Sequence, residues 1–341
     1  MKITATTVFI ISSRSICNIF QCLFRQASSL SCPLAERVDA YACVGHPGGC
    51  FKVEIKNNMP IENCAIRNFH TVETLEGKDS RTFEEAFSLV EENASRIIKN
   101  INATFMAPEP GTDDYNWLIN FIAILCERTP ARRKHFSEMT AEMYKMITRV
   151  GFQHKEYFES QKRIIEEKTG EKNNLTHEKL LEFIERDEYE VVFGNNHHMK
   201  SFMDRLDVII EPLSRRKWSV VTSPPMMGDF ICSDNPVCLR NVTKVTGFFS
   251  SPGHGMFNTE VSLPLSPRVV LLGRFEDYHP MSGLVPNRKT VAAINSFTGM
   301  YAEKFIFSKK QDFLWTDTVG KLCNTDDFKR KLVEKKEKPK E

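Results

Sequence analysis

Apolar positions recur at helical spacing over most of the first two thirds of this chain and at strand spacing over most of the last third. Phe83, Phe87, Val90, Ala94, Ile97, Ile98 and Ile101 fall on one face after Thr82-Phe83-Glu84-Glu85, whose Thr and Glu, three residues apart, have the spacing of a capping box. A helix is therefore expected from Thr82 to the break at Pro108-Glu109-Pro110-Gly111. The next, from Asp114 to Arg128, is apolar nearly all round through Trp117, Leu118, Phe121, Ile122, Ile124 and Leu125, so it should lie at the centre of the core. Thr129-Pro130 reads as an N-cap followed by proline in its favoured first position. The helix it opens carries a stripe of Phe136, Met139, Met143, Met146, Ile147 and Val150, which is expected to be core. Residues Phe152 to Glu190 read as two charged helices around Thr169 to Asn174, a peripheral excursion, and His198 to Leu213 as a firmer one.

After Arg215-Arg216-Lys217 the period falls to two. Trp218–Thr222, Phe230–Ser233, Glu260–Leu265 and Arg268–Leu272 are strand candidates joined by proline-rich turns, with a helical pattern again through Val291, Ile294, Phe297 and Met300 and a short strand at Lys304–Phe307. Between the strands, Thr246 to Asn258 reads as a loop able to cover a site. Earlier, Cys50 to Ile55 alternates as a strand with Cys64 to Val72 as its expected partner, whereas the first forty-five residues show no clear period. These elements define an α+β protein: a helical block over 82–213 on a small, mostly antiparallel sheet over 218–308. One domain is expected over 46–308, after a poorly defined segment 1–45 and before a charged helix or tail at 309–341.

Composition narrows the function classes without naming one. Of 341 residues 41% are hydrophobic, ample for a core, and the formal net charge is only +2, so no global field announces nucleic acid or an acidic membrane. The basic charge concentrates in Lys329 to Glu341, with seven Lys or Arg against three Glu, which leaves the body near −2. Ten scattered cysteines, several in apolar contexts, point to a reducing, cytoplasmic location rather than a disulfide scaffold. Residues 1–24 match a signal peptide only faintly, because Ser12-Ser13-Arg14 interrupts the apolar run, and no run approaches the length of a membrane span. No membrane association and no cofactor are expected.

The candidate chemistry centres on Ser233-Asp234-Asn235-Pro236, answered by Leu263-Pro264-Leu265-Ser266-Pro267. A carboxylate and an amide there sit at a strand end, a position that suits binding or catalysis and equally suits a turn using both for its own hydrogen bonds. Arg128, Arg132, Arg133 and Lys134 crowd a helix N-terminus, where the dipole disfavours cations. An anion would relieve them: internally Asp234 for Arg128, or externally a phosphate or nucleic-acid backbone held by Arg128, Arg132, Arg133 and Asn235. Two readings remain open. In one, Arg128, Asp234 and Asn295 form a structural polar network in a binding or interaction module. In the other they are catalytic, in a hydrolase or nuclease-like enzyme acting on a phosphorylated or nucleic-acid substrate. Against the second, one Asp is too few for a two-metal site, and neither a glycine-rich phosphate loop nor a His-Glu-x-x-His motif occurs. Cys43, His46, Cys50 and Cys64 have loosely ligand-like spacing but lack paired Cys-x-x-Cys knuckles, so no metal is assigned.

Asn68-Phe69-His70-Thr71, Phe121-Ile122-Ala123 with Arg128-Thr129-Pro130, Trp218, Phe230 to Val237, Leu263 to Pro267, and Asn295 followed by Tyr301-Ala302 resemble, in that order, the uncharacterised family catalogued as domain of unknown function 4238, over about residues 50–308. The resemblance implies no reaction or cofactor. Such proteins usually open on a motif close to His-Tyr-Val-Pro-Gln-Phe-Tyr-Leu-Arg. Here only Gln21-Cys22-Leu23-Phe24-Arg25 echoes it, with Cys17 where the His falls and Phe20 where the Pro falls. An enzyme relying on that His for proton transfer would be inactive in this chain.

Overall fold

The computed structural model describes residues 39–45, 51–57, 82–243, 251–275, 283–285, 287–303, 305–310, 312–317 and 319–327, with side chains from residue 86 onward except at 131 and 195. Its described elements run, in chain order, β1 (Asp39–Gly45), β2 (Phe51–Asn57), α1 (Thr82–Thr104), α2 (Asp113–Glu127), α3 (Pro130–Phe152), α4 (Lys155–Thr169), α5 (His177–Glu185), α6 (Asn195–Ser214), β3 (Lys217–Thr222), β4 (Cys232–Ser233), β5 (Cys238–Asn241), β6 (Thr259–Ser266), β7 (Val269–Arg274), β8 (Gly283–Leu284), α7 (Arg288–Tyr301), β9 (Phe305–Ser308), β10 (Trp315–Thr316) and β11 (Leu322–Cys323). The fold class is α+β, and the switch of period after residue 215 coincides with the change from helices to strands.

The chain divides into two compact units: one comprises residues up to Thr129 and from Ser201 onward, the other Pro130–Lys200. In the first unit, α2 is the buried helix its all-round apolarity predicts, with Leu118, Ile119, Phe121, Ile122 and Ala123 almost wholly enclosed. Its start is fixed by Thr112, whose hydroxyl accepts from the Tyr115 amide at 3.2 Å, and by Asp113 and Asp114, whose charges suit the helix N-terminus. Helix α1 lays Ala94, Ile97, Ile98 and Ile101 against this core. Five strands form one sheet in the order β5-β6-β7-β3-β8, antiparallel except for the short β3–β8 pair, and α7 packs Val291 and Ile294 with Val221, Phe230, Val270 and Leu272.

A second sheet, β2-β1-β9-β4, was not foreseen as such. β2 pairs with β1, register Cys43 opposite Val53, in a stretch without legible period, and β1 also pairs with β9. The segment 64–72 expected as a partner, and the Cys43, His46, Cys50 and Cys64 side chains, lie outside the described residues. The expected strand Phe230–Ser233 shrinks to Cys232–Ser233, and all four residues are buried rather than alternating. The preceding residues are held by other partners: the Phe230 amide donates to the Pro267 carbonyl and the Ile231 amide to the Asn295 side chain.

In the second unit α3, α4 and α5 pack through Phe158, Ile184 and Thr140, and His177 reaches the Phe152 carbonyl through Nε2 at 2.7 Å. One expectation fails here. The stripe of α3 is not core: Met139, Met143, Met146, Ile147 and Val150 are 53–67% exposed. Helical spacing shows that such side chains share a face, but only the arrangement of neighbouring helices decides whether anything covers it.

Candidate functional site

Asp234 follows β4, and its position there follows from Pro236, which cannot continue a ladder, and from Ser233, whose hydroxyl donates to the Asn235 carbonyl at 2.8 Å. The Asp234 carboxylate faces the turn between α7 and β9. One oxygen accepts from the Glu303 amide at 2.9 Å and the other from the Phe305 amide at 3.1 Å, while the Asp234 amide donates to the Phe305 carbonyl at 3.2 Å. It binds that turn much as an N-cap carboxylate binds the first amides of a helix. Asn235 enters through its backbone, its amide bonded to Ser233 Oγ at 3.3 Å.

Asn295, on the buried face of α7, is 1% exposed. Its Nδ2 donates to the carbonyls of Asp229 at 3.0 Å and Leu314 at 2.9 Å, and its Oδ1 accepts from the Ile231 amide at 3.0 Å. One side chain thus replaces the ladder bonds that residues 229–231 lack. Asp234 and Asn295 act on the same strap, residues 229–235, fastening it to α7 and to the turn after it.

Arg128 caps the end of α2 and pairs with Glu91 of α1 at 2.6 Å, with its guanidinium over the Phe87 ring at 5.8 Å from the centroid. Burial pushes the Glu91 carboxyl up from its ordinary value, and the Arg128 charge opposes that rise. The neighbouring residue Glu127 binds Arg205 of α6. The corner between α2 and α3 thereby ties the helices of the first unit together. Beyond it, Arg132 is exposed, Arg133 is half-buried with burial lowering its pKa, and Lys134 pairs with Glu138 one turn on at 3.7 Å.

Three polar groups that the sequence did not single out are at least as deeply set. Arg216 is fully buried, its Nη1 donating to the carbonyls of Thr259 at 2.9 Å and Gly273 at 3.1 Å, its Nη2 to the His254 carbonyl at 2.7 Å, with Phe275 stacked on the guanidinium. Glu260, 1% exposed, receives Arg240 on one oxygen at 2.7 Å and Arg274 on the other at 2.6 Å. The buried Asp229 carboxylate lies 3.2 Å from Arg268 and 3.3 Å from Lys310, in ion contact but without hydrogen-bond geometry. A signal existed for Glu260 alone, at the start of an expected strand; Arg274, directly opposite it in register, lies two residues beyond the expected strand Arg268–Leu272. Among the described residues no group of three or more His, Cys, Asp or Glu is placed to hold a metal, and no helix is long and apolar enough to cross a membrane.

These features define a class, an α+β protein with a buried helix beside mostly antiparallel sheets. The family described as Protein of unknown function (DUF4238) matches residues 51–312, and the chain belongs to that family. No curated protein and no solved structure matches it.

Proposed function

We propose that this protein is a binding or interaction module, in a reducing, cytoplasmic setting, in which Asp234, Asn295 and Arg128 are structural. The observation that carries this reading is the engagement of both Asp234 oxygens by backbone amides. A general base or metal ligand must turn a lone pair toward a substrate or ion, whereas this carboxylate holds a turn. Asn295 and Arg128 support the same reading, the first through its three backbone bonds and the second through its buried pair with Glu91. The free, buried Cys232, Cys238 and Cys323 suit a reducing compartment. The alternative, a hydrolase or nuclease-like enzyme with Asp234 as base and Arg128, Arg132, Arg133 and Asn235 on a phosphate, would have to work through the lone pairs these two amides leave and would have to draw Arg128 from its buried pair with Glu91.

Asp234→Ala tests the choice. Each amide left without its acceptor costs about 1–3 kcal/mol where water cannot replace it, so the variant should melt well below the parent chain. Parent protein incubated with p-nitrophenyl phosphate and with single-stranded DNA and RNA should give no turnover. Turnover that Asp234→Asn abolishes without changing the melting temperature would sink the structural reading.

A further inference from the structure

The exposed stripe on α3 has a register. Phe136, Met139, Met143, Met146 and Val150 are separated by three, four, three and four residues, the a and d spacing of a heptad, with Ile147 in the adjoining e position. The six positions span an arc of about 100° and about 21 Å of helix. The half-buried Ala141 and Lys145 lie on the other side of the helix, and the buried Thr140, an e position like Ile147, marks the edge at which the second unit packs, so the Met139, Met143, Met146 and Val150 seam is left open. Contiguous apolar patches on this scale mark interaction sites more often than idle surface.

The flanking charges say what kind of partner fits. Glu142 and Arg149 hold the g positions beside the stripe, both exposed; Glu142 also feels the charge of Lys145, whose own ion pair is with Asp187. In an antiparallel helix pair, a positions meet d positions and g faces g. Setting Met143 against Met146 of a second copy also sets Met139 against Val150. It then brings Glu142 of each copy opposite Arg149 of the other, twice, about the same two-fold axis. A parallel pairing sets Met143 on Met143 and removes that match. The stripe is thus complementary to itself in one orientation, as a two-fold interface must be.

We propose that α3 is the contact of a homodimer, an antiparallel helix pair centred between Tyr144 and Lys145. It gives the interaction-module reading a partner of stated chemistry, a second copy of this chain, and its test involves none of the Asp234 contacts. One helix face of this length belongs with the smaller interfaces, below about 1,200 Å² in total, so the dimer should be reversible and concentration-dependent.

Sedimentation velocity of the full chain over a concentration series provides the test. The parent should shift from monomer to dimer with rising concentration. Met143→Glu, at an exposed position where the fold is indifferent to the change, should remain monomeric with an unaltered melting curve. Glu142→Arg places two arginines opposite each other and should weaken the dimer about tenfold; adding Arg149→Glu should restore it. A parent that stays monomeric throughout, or a dimer indifferent to Met143→Glu, overturns the proposal. A dimer lost in Met143→Glu but unmoved by the charge reversals overturns the antiparallel register. None of these outcomes alters what Asp234→Ala reports.

Discussion

Asn295 illustrates how one polar side chain can set a backbone. Buried residues 229–231, which lie outside any ladder, would strand amides and carbonyls, and this amide supplies a donor to two carbonyls and an acceptor to one amide. Asn295→Leu keeps the volume roughly and removes all three bonds. At about 1–3 kcal/mol per stranded group, denaturant unfolding should show a loss of at least about 3 kcal/mol, and a loss under about 1 kcal/mol would mean the strap is held by other means. Cys232 on the same strap and Cys238 just beyond it lend themselves to a second measurement. Burial pushes the Cys238 thiol up to about 12 and Cys232 higher still. Because the thiolate is the reactive form, both should resist alkylation at mildly alkaline pH in the folded chain and react on unfolding. Rapid native labelling of Cys232 would show that the strap opens, and of Cys238 that β5 does.

At the scale of elements, strand β7 depends on a glycine. Gly273 lies opposite Trp218 of β3, and a Cβ placed on it would come within 2.8–2.9 Å of the indole ring. The ring is pinned by its own Nε1 bond to the Leu213 carbonyl at 3.1 Å, so it cannot easily give way. Gly273→Ala should cost about 1–3 kcal/mol by overpacking, and Trp218→Leu in the same chain should absorb part of that cost, read as non-additive melting shifts. Across the same sheet Glu260 holds Arg240 on one oxygen and Arg274 on the other. Glu260→Ala leaves two guanidiniums around a partly buried hole and is expected to cost about 3–5 kcal/mol; an exposed ion pair would cost far less. Measuring that variant against Asp234→Ala compares the foreseen polar site with the one the sequence did not single out.

For the whole molecule, the division into two units places the polar fastenings and the open apolar face in different parts of the chain. The first unit carries the Arg128, Asp234, Asn295, Glu260 and Arg216 contacts, and the second carries the α3 stripe. If the stripe is the dimer contact, its charged pairs lie at the rim, where salt screens them. The dissociation constant should then change only a few-fold between low and high ionic strength, since apolar contact supplies most of the affinity. A dimer that dissolves in salt alone would point to electrostatic rather than apolar association.

The sequence by itself determined the elements whose signals are local. All-round apolarity set α2 in the core, proline after Thr129 opened α3, and period-two runs between prolines marked β3, β6 and β7, because propensity, capping and side-chain alternation act within a few residues. It also marked Asp234 and Asn295 as special, through turn chemistry in the one case and family resemblance in the other. Tertiary structure alone decided their partners. Arg128 meets Glu91, thirty-seven positions earlier, and Asp234 meets amides some seventy positions later. A side chain's type states what it can bond, while chain topology brings the partner. The same holds for the α3 stripe: the spacing places Met139, Met143 and Met146 on one face, but whether that face is buried depends on which helices the fold sets beside it.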